Sequence, residues 1–287
     1  MRRLSELGEF GLLALLERRG LVAGLDAEGA VFDGGFVATQ DLLVEGVHFR
    51  REWTSWHDLG YKAAAVNLSD LAAMAAEPMA LIVGLGTPAE SDPASIVELY
   101  EGLNELGVPV RGGDTVPSER LTLSVVAIGR SGRVPGRAGA VPGDALVITG
   151  PVGAAAAGLY ALEHGLEGFE GLAERQRRPP IRLEEGRKLG PVAHALIDLS
   201  DGILSDAARI AERSGSRLVV DVERLPLAPG LGAVGDLPFW TMGEDYELLA
   251  ALSADDAQAS GFPIVGHVEE GSGVKPDLPV GWDAFRR

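Results

Sequence analysis

Short acidic motifs at the ends of apolar runs constrain this chain more than any other feature of its sequence. Each motif places a carboxylate beside glycine, serine or threonine. The motifs lie at residues 39–41, 67–70, 112–115, 198–202 and 243–246, with a weaker one at 26–29. Hard cations such as Mg²⁺ take oxygen ligands, and one or two carboxylates together with substrate phosphates usually hold each ion. The pattern therefore predicts an enzyme that uses magnesium and a nucleotide.

Helical and strand patterns alternate in both halves of the chain, which is typical of an α/β or α+β fold. In the first half, residues 56–76 have the alanine-rich spacing of a helix, and residues 79–86 form the apolar run of a strand. Residues 130–143 are rich in glycine, proline and arginine and have little periodicity. We take this stretch as the boundary between two domains, 1–137 and 138–287.

Composition excludes several classes of function. A formal net charge of −17 argues against nucleic acid and anionic membranes as partners. The chain has no cysteine, which excludes thiol chemistry and cysteine-ligated zinc and is compatible with a cytoplasmic location. No stretch approaches the roughly 18 uncharged apolar residues of a membrane span, and acidic residues interrupt the apolar N-terminal stretch, so no signal peptide is expected. An acidic surface also repels free ATP, so a phosphorylated ligand would need Mg²⁺ or a local patch of arginine.

The motif at 198–202 is the sharpest, because strand-like alternation ends there and helical spacing begins at Ile203. A helix N-terminus offers free N–H groups to a phosphate. The alternative is that Ser200 or Asp201 only caps the helix, which would leave Asp198 unexplained. Both interpretations stay open from the sequence.

Asp70 lies inside an alanine-rich helical pattern, next to Ser69. Aspartate is a poor residue for a helix interior, and buried charge is costly unless it is paired or bound to a metal. A metal ligand is therefore favoured over a solvent-facing carboxylate. The glycines at 112–115 could let a backbone approach a phosphate while the aspartate holds a cation, although the same residues also make ordinary turns.

Other candidates stay ambiguous by residue type. His48 is either a packing residue or a ligand, and the acidic pair at 244–245 is either a further site or an exposed turn. Residues 167–180 are predicted as a polar loop. Its arginines, and Arg137, could clamp a phosphate or could be solvated. Neither a phosphate-binding loop, nor a dinucleotide fingerprint, nor protein-kinase motifs are present, so nucleotide chemistry must rest on carboxylates and metal.

Taken in order, the motifs resemble thiamine-monophosphate kinase, a family within the superfamily of aminoimidazole ribonucleotide synthetase. The matching segments cover nearly the whole chain and lie at residues 8–10, 41–49, 59–74, 112–115, 137–144, 197–202 and 243–248. The resemblance implies a two-domain α/β (α+β) fold. In that fold the N-terminal domain forms a β-barrel shared with a partner in a homodimer, and the C-terminal α/β domain closes the site.

The resemblance also implies the chemistry: ATP- and Mg²⁺-dependent phosphorylation of thiamine monophosphate to thiamine diphosphate, by direct in-line transfer. Several Mg²⁺ ions would be held by Glu28, Thr39, Gln40, Asp41, Asp70, Asp114, Asp198 and Asp201. Asp198 and Asp201 would also act as catalytic residues. ATP would be contacted by Tyr100, Gly113, Asp114, Arg137 and Ser200. Thiamine monophosphate would be contacted by His48, Glu244 and Trp282.

Two departures from the family pattern fall in the expected metal region. The usual Gly-Asp-Asp-Ala-Ala-Val is replaced by the sequence at 26–31, which puts Glu28 on the second aspartate and Ala27 on the first. The usual Thr-Thr-Asp has Gln40 as its middle residue. These changes leave one alternative from another class, a nucleotide-binding regulator without catalysis. A second alternative is a related ATP-using ligase that closes a ring from an amidine.

Overall fold

The computed structural model describes residues 3–278 and contains two β-sheets, one in each half of the chain. The elements of the first half are α1 (Leu4–Arg18), β1 (Ala30–Val31), β2 (Phe36–Val44), α2 (Trp56–Ala73), β3 (Glu77–Thr87), α3 (Pro93–Asn104), β4 (Val110–Pro117) and β5 (Thr122–Arg130). Those of the second half are β6 (Ala145–Ile148), α4 (Ala154–His164), α5 (Glu170–Arg177), α6 (Leu183–Leu189), β7 (Ala195–Asp198), α7 (Ile203–Ser214), β8 (Arg217–Val220), α8 (Leu231–Val234), β9 (Leu248–Leu252), α9 (Ala254–Ser260), β10 (Ile264–Glu269) and β11 (Gly273–Lys275).

The first sheet has the strand order β1-β2-β5-β3-β4, and its two faces differ. One face packs against α2 through residues such as Val37, Val83 and Val125. On the other face, apolar side chains stay in contact with solvent: Leu42 is 51% exposed and Ile82 39%. The first sheet therefore has one covered face and one apolar face that is open to solvent, and the two separate sheets agree with the two-domain fold that the resemblance implies.

The second sheet has the order β11-β8-β10-β6-β9-β7 and is covered on both faces. Helix α7 contributes Ile203 and Ile210 to the core on one face. On the other face, Leu189 of α6 and Ala257 of α9 pack against Leu196. Strands buried on both sides are expected to read as continuous apolar runs, as β6, β7 and β9 do.

Helix α2 lies between the two halves, and its small residues explain how. Ala72 and Ala73 at its end belong to the core of the second sheet. A side chain at Gly60 would come within 1.9 Å of the Leu99 carbonyl oxygen of α3, so only glycine permits this approach. The alanine-rich pattern therefore encodes a helix that is packed on nearly every side, and the helix predicted at 56–76 is confirmed.

The polar loop predicted at 167–180 is wrong, because α5 occupies most of it. The helix has little apolar character, so its sequence gives no periodic signal. It is held instead by contacts with distant elements. A side chain at Gly158 of α4 would meet the Leu172 carbonyl oxygen at 2.2 Å, so α4 and α5 pack closely. Among the helices of residues 3–278, none is long and apolar enough to cross a membrane.

Candidate functional site

Four carboxylates from distant parts of the chain meet between the two halves, and we call Glu28, Asp41, Asp70 and Asp198 the carboxylate cluster. Oxygen atoms of Glu28, Asp70 and Asp198 all lie within 4.8 Å of one another. Asp41 is near enough that its charge raises the pKa of Asp70. The Thr39 hydroxyl donates a hydrogen bond to the Asp70 carboxylate. Carboxylate and hydroxyl oxygens are the donors that a hard cation such as Mg²⁺ takes, so the residues present fit that ion.

Local structure aims these side chains at one another. Along β2, Thr39 and Asp41 share the face that packs on α2, because successive strand residues point to opposite sides. The Asp41 backbone N–H donates to Asn67 Oδ1 at 3.1 Å, and Asn67 Nδ2 donates to the Ala63 carbonyl oxygen at 2.9 Å. Asn67 thus ties the strand to the helix that carries Asp70. Its role could not be found from the sequence, where Asn67 is only one polar residue in the motif.

The second half contributes Asp198 from the last position of β7, where the Ser69 hydroxyl of α2 donates to its carboxylate at 2.7 Å. The neighbouring Asp201 is paired with Arg209. The backbone N–H groups of Asp201 and Gly202 both donate to Asp206 at 3.1 Å. Asp206, in the first turn of α7, therefore accepts the N–H groups of the two residues just before the helix, and neither Ser200 nor Asp201 makes a side-chain cap. This result removes the capping interpretation of those two residues.

Burial and mutual repulsion perturb the cluster strongly. Burial first, and the Glu28 charge second, raise the pKa of Asp198 to about 8. The same two causes raise the pKa of Asp41 to about 6, and burial with the Asp41 charge raises the pKa of Asp70 well above its usual range. Carboxylates that repel one another cannot all ionise at low cost. A bound divalent cation would remove that cost, because its positive charge offsets the repulsion among the carboxylates.

Arg137 lies at the edge of the cluster and pairs with Glu28. The Arg137 Nε donates to Glu28 Oε1 at 2.7 Å, and a second guanidinium nitrogen donates to the other oxygen. Arg137, which the resemblance assigns to ATP binding, is thus held by Glu28, which the resemblance assigns to metal binding. Glu28 is one methylene longer than aspartate, which helps it to reach both groups.

The motif at 243–246 lies beside the motif at 198–202. The Glu244 backbone N–H donates to the Ser200 carbonyl oxygen at 2.8 Å. Glu244 and Tyr246 have positive φ values of 60° and 50°, a strained conformation for residues other than glycine. The Glu244 carboxylate receives Lys62 Nζ at 2.8 Å.

Asp245 has a different role from its neighbour Glu244. It is 4% exposed, and it accepts the Gly153 backbone N–H at 2.8 Å at the start of α4. Burial raises its pKa to about 8. The acidic pair therefore consists of one structural residue and one residue that is partly open to solvent, so the exposed-turn interpretation fails for Asp245.

Two predicted metal ligands lie away from the cluster within a single chain. Gly113 belongs to the same cross-strand row as Asp41, three strands away, which is roughly 14 Å at the usual strand spacing. The next residue, Asp114, points to the open face of the sheet. Gln40 points to the same open face and donates to the Ser124 hydroxyl at 2.7 Å. Their roles as ligands stay predictions.

The remaining candidates are spread around this region. His48 Nδ1 accepts the Val44 backbone N–H at 3.0 Å, so the ring proton lies on Nε2. Tyr100 lines an open groove on α3 with Ile96 and Val97. Trp282 lies outside the described residues.

Comparisons with known proteins identify the family of the chain. A family profile described as "AIR synthase related protein, N-terminal domain" matches residues 26–131, and the corresponding C-terminal domain matches 141–276. The chain is 35% identical to a thiamine-monophosphate kinase of Mycobacterium tuberculosis (strain CDC 1551 / Oshkosh), covering 98% of this chain and 93% of that protein. It is 33% identical to the thiamine-monophosphate kinase of Aquifex aeolicus (strain VF5), covering 99% and 100%.

Solved structures give the same result. The structure of AaThiL complexed with AMPPCP and TMP superposes with a TM-score of 0.92 and 32% identity, covering 99% of each chain. The hydrogenase maturation protein HypE in complex with ATP superposes with a TM-score of 0.68 but only 18% identity, so that likeness extends to the fold alone.

Proposed function

The chain belongs to the AIR synthase related family, and from that premise we propose that it transfers the γ-phosphoryl group of ATP to thiamine monophosphate. The products are thiamine diphosphate and ADP. Its full-length relatives carry the name of this kinase, and AMPPCP and TMP are the ligands of the structure that it resembles over 99% of its length. The expected site of action is the cytoplasm, with which the absence of cysteine is compatible.

The observation that carries the proposal is the carboxylate cluster. Phosphoryl transfer asks a protein mainly for positioning and for neutralisation of phosphate charge. Glu28, Asp41, Asp70 and Asp198 would hold Mg²⁺, with Thr39 and Asp201 beside them. When bound, Mg²⁺ supplies the positive charge that both the nucleotide phosphates and these carboxylates require.

The protein's own side chains then bind and orient the two substrates. Arg137, which donates to Glu28 of the cluster, and Ser200 would contact ATP phosphates, and Tyr100 lines an open groove on α3. His48 would donate its Nε2 proton to the acceptor phosphate, and Glu244 would contact the heterocyclic end of the acceptor. The acceptor phosphate is itself the nucleophile and is ionised near neutral pH. No strong general base is required for direct in-line transfer.

The two departures from the family pattern do not favour a regulator without catalysis. Glu28 keeps its carboxylate within 4.8 Å of Asp70 and Asp198. Gln40 points to the opposite face of β2 from Asp41, so its change from a hydroxyl residue leaves the cluster intact. Both residues therefore permit metal binding.

We further propose a homodimer built on the open face of the first sheet. Leu42, Ile82 and Val116 are 51%, 39% and 50% exposed and lie on that face. Contiguous exposed apolar side chains mark interaction surfaces. Light scattering of the wild type should give twice the chain mass, and Ile82→Asp should give the mass of one chain. A wild-type mass of one chain would refute the dimer.

Turnover tests the function directly. Purified protein is incubated with ATP, Mg²⁺ and thiamine monophosphate, and thiamine diphosphate and ADP are quantified by chromatography. Equal amounts of the two products are expected. Parallel reactions with unphosphorylated thiamine and with an amidine-bearing ribonucleotide distinguish this kinase from a related ligase. No thiamine diphosphate above a reaction with chelator would refute the proposal.

A further inference from the structure

Lys62 of α2 is a buried side chain that has no assigned role in the proposed reaction. It is 1% exposed, and burying an ammonium group is costly unless a partner compensates. Its Nζ lies 2.8 Å from Glu244 Oε1. The chain has three lysines, at positions 62, 188 and 275, and otherwise uses arginine for its cations. A compact ammonium, rather than a planar guanidinium, fits a buried contact with a single carboxylate oxygen.

The contact crosses from one half of the molecule to the other. Lys62 belongs to α2, whereas Glu244 lies in the strained loop before β9. The other Glu244 oxygen faces Gln176 Nε2 of α5 at 3.4 Å, and the Glu244 side chain keeps 29% exposure. An ionised carboxylate has about four lone-pair sites. Glu244 is therefore held from two sides while part of it stays open to the crevice.

Helix α2 also fixes the distance between this contact and the carboxylate cluster. Lys62 and Ser69 are seven residues apart and lie on one face of the helix. Lys62 binds Glu244, and Ser69 binds Asp198 at 2.7 Å. At the usual helical rise the two contacts are about 10 Å apart along the axis. That separation suits an acceptor whose phosphate lies at the cluster and whose heterocycle reaches Glu244.

We propose that Lys62 is a positioning residue for the acceptor substrate: it holds the Glu244 carboxylate in the orientation that accepts the amino N–H of the acceptor's aminopyrimidine ring. This inference rests on the proposed function. Lys62 itself stays behind Glu244 and does not touch the acceptor. Loss of Lys62 frees the carboxylate to rotate out of its binding orientation, while the metal cluster and the ATP contacts keep their own supports.

The test compares Lys62→Met, which removes the charge at similar volume, with Lys62→Arg, which keeps it. Lys188→Met is the matched control, because Lys188 is an exposed lysine whose Nζ donates to the Ser260 carbonyl oxygen. For Lys62→Met, the KM for thiamine monophosphate should rise roughly 10- to 100-fold, as expected for a lost hydrogen bond to a charged group. The KM for ATP and kcat should change little. Lys62→Arg should recover part of the loss, and Lys188→Met should behave as wild type.

Adding Glu244→Gln separates positioning from general damage to the fold. If Lys62 acts through Glu244, Lys62→Met should cost little further acceptor affinity in the Glu244→Gln background. Equal rises of both KM values, or an unchanged KM for the acceptor, would overturn the proposal. So would full additivity of the two substitutions.

Direct binding keeps the two proposals distinguishable. The dissociation constant of thiamine monophosphate is measured by calorimetry in the presence of AMPPCP and Mg²⁺, where no transfer occurs. A wild type that binds the acceptor without turning it over would contradict the proposed function and still report on Lys62 through the same variants. A wild type that does not bind the acceptor at all would overturn both.

Discussion

Glu247 and the carboxylate cluster lie in the same part of this molecule, and the protein balances the charge of Glu247 but not that of the cluster. Glu247 is fully buried, yet it receives two nitrogens of Arg182 at 2.6 Å each, Arg175 at 3.2 Å and the Thr149 hydroxyl at 2.7 Å. In the carboxylate cluster, Arg137 pairs with Glu28, while burial first and neighbouring carboxylates second raise the pKa of Asp41, Asp70 and Asp198.

The comparison separates a structural use of buried acid from a functional one. Glu247 joins β9 to α5 and α6, and every oxygen is satisfied by the protein itself. The carboxylate cluster is left short of positive charge. Burial of an acidic side chain therefore does not by itself identify a ligand site here. A lack of neighbouring positive charge does identify one, because a bound ligand must then supply that charge.

The largest effect on activity should come from a substitution in the carboxylate cluster. Asp198→Asn removes a proposed metal ligand while keeping the shape of the side chain and the hydrogen bond with Ser69. We expect kcat to fall about 10³-fold, comparable to the loss of an essential electrostatic group. The metal-free protein should keep its thermal stability, since an amide relieves repulsion. A large loss of stability in chelator would contradict this account of Asp198.

A substitution of Glu247 should instead lower stability and leave activity nearly unchanged. Glu247→Gln leaves Arg175 and Arg182 without their anion, so the free energy of unfolding should fall by about 3–5 kcal/mol, as for other broken buried ion pairs. At a temperature where the variant is folded, kcat should stay near the wild-type value. Chemical denaturation and turnover at that temperature check both parts. A collapse of kcat without loss of stability would place Glu247 in the chemistry instead.

The pH dependence of stability should also distinguish the carboxylate cluster from Glu247. The folded pKa values of Asp41 (about 6) and Asp198 (about 8) lie above the ordinary aspartate value, so the stability these groups contribute is complete at low pH. It is lost as the pH rises from the ordinary aspartate pKa of about 4 to the folded pKa, which is about 6 for Asp41 and about 8 for Asp198. In chelator, the Tm should therefore fall between about pH 4 and about pH 8.

Mg²⁺ should flatten this fall, because the bound ion favours the ionised form of its ligands. A residual slope near pH 8 is expected from Asp245, whose pKa is also about 8 and which lies outside the cluster. Differential scanning calorimetry with and without Mg²⁺ gives both curves. A Tm in chelator that climbs steadily over this range would contradict the raised pKa values.

The smallest effect should come from restoring the family residue at Glu28. In Glu28→Asp the carboxylate stays near the cluster but reaches less far toward Arg137. The Mg²⁺ concentration that gives half-maximal rate should change by only a few-fold, about the effect of one weakened charged contact. A loss as large as that of Asp198→Asn would mean that Glu28 is indispensable to the metal site.

The sequence predicted the fold class and much of its order because those rest on local signals. The helix at 56–76, the strand at 79–86 and the two-domain family fold are confirmed by the structure and the comparisons. Helix α5 was missed, because a helix held by arginines that pair with distant acids has no apolar period to detect. The boundary at residue 137 stays a prediction.

The candidate site was predictable only in part. Acidic residues at strand ends and in a helix interior pointed to Asp70 and Asp198, since such positions are costly without a ligand. Asn67, Asp206 and Lys62 could not be found in the same way. Lys62 meets a partner 182 positions away in sequence, and such a pairing exists only once the chain is folded.

Direct metal binding tests the central claim that the unbalanced cluster is the ion site. Mg²⁺ is titrated by calorimetry into the protein saturated with AMPPCP, for the wild type, Asp198→Asn and Glu247→Gln. The account predicts binding in the wild type beyond that of AMPPCP alone, affinity at least about tenfold weaker in Asp198→Asn, and wild-type affinity in folded Glu247→Gln. Equal Mg²⁺ affinity in the wild type and Asp198→Asn would contradict it.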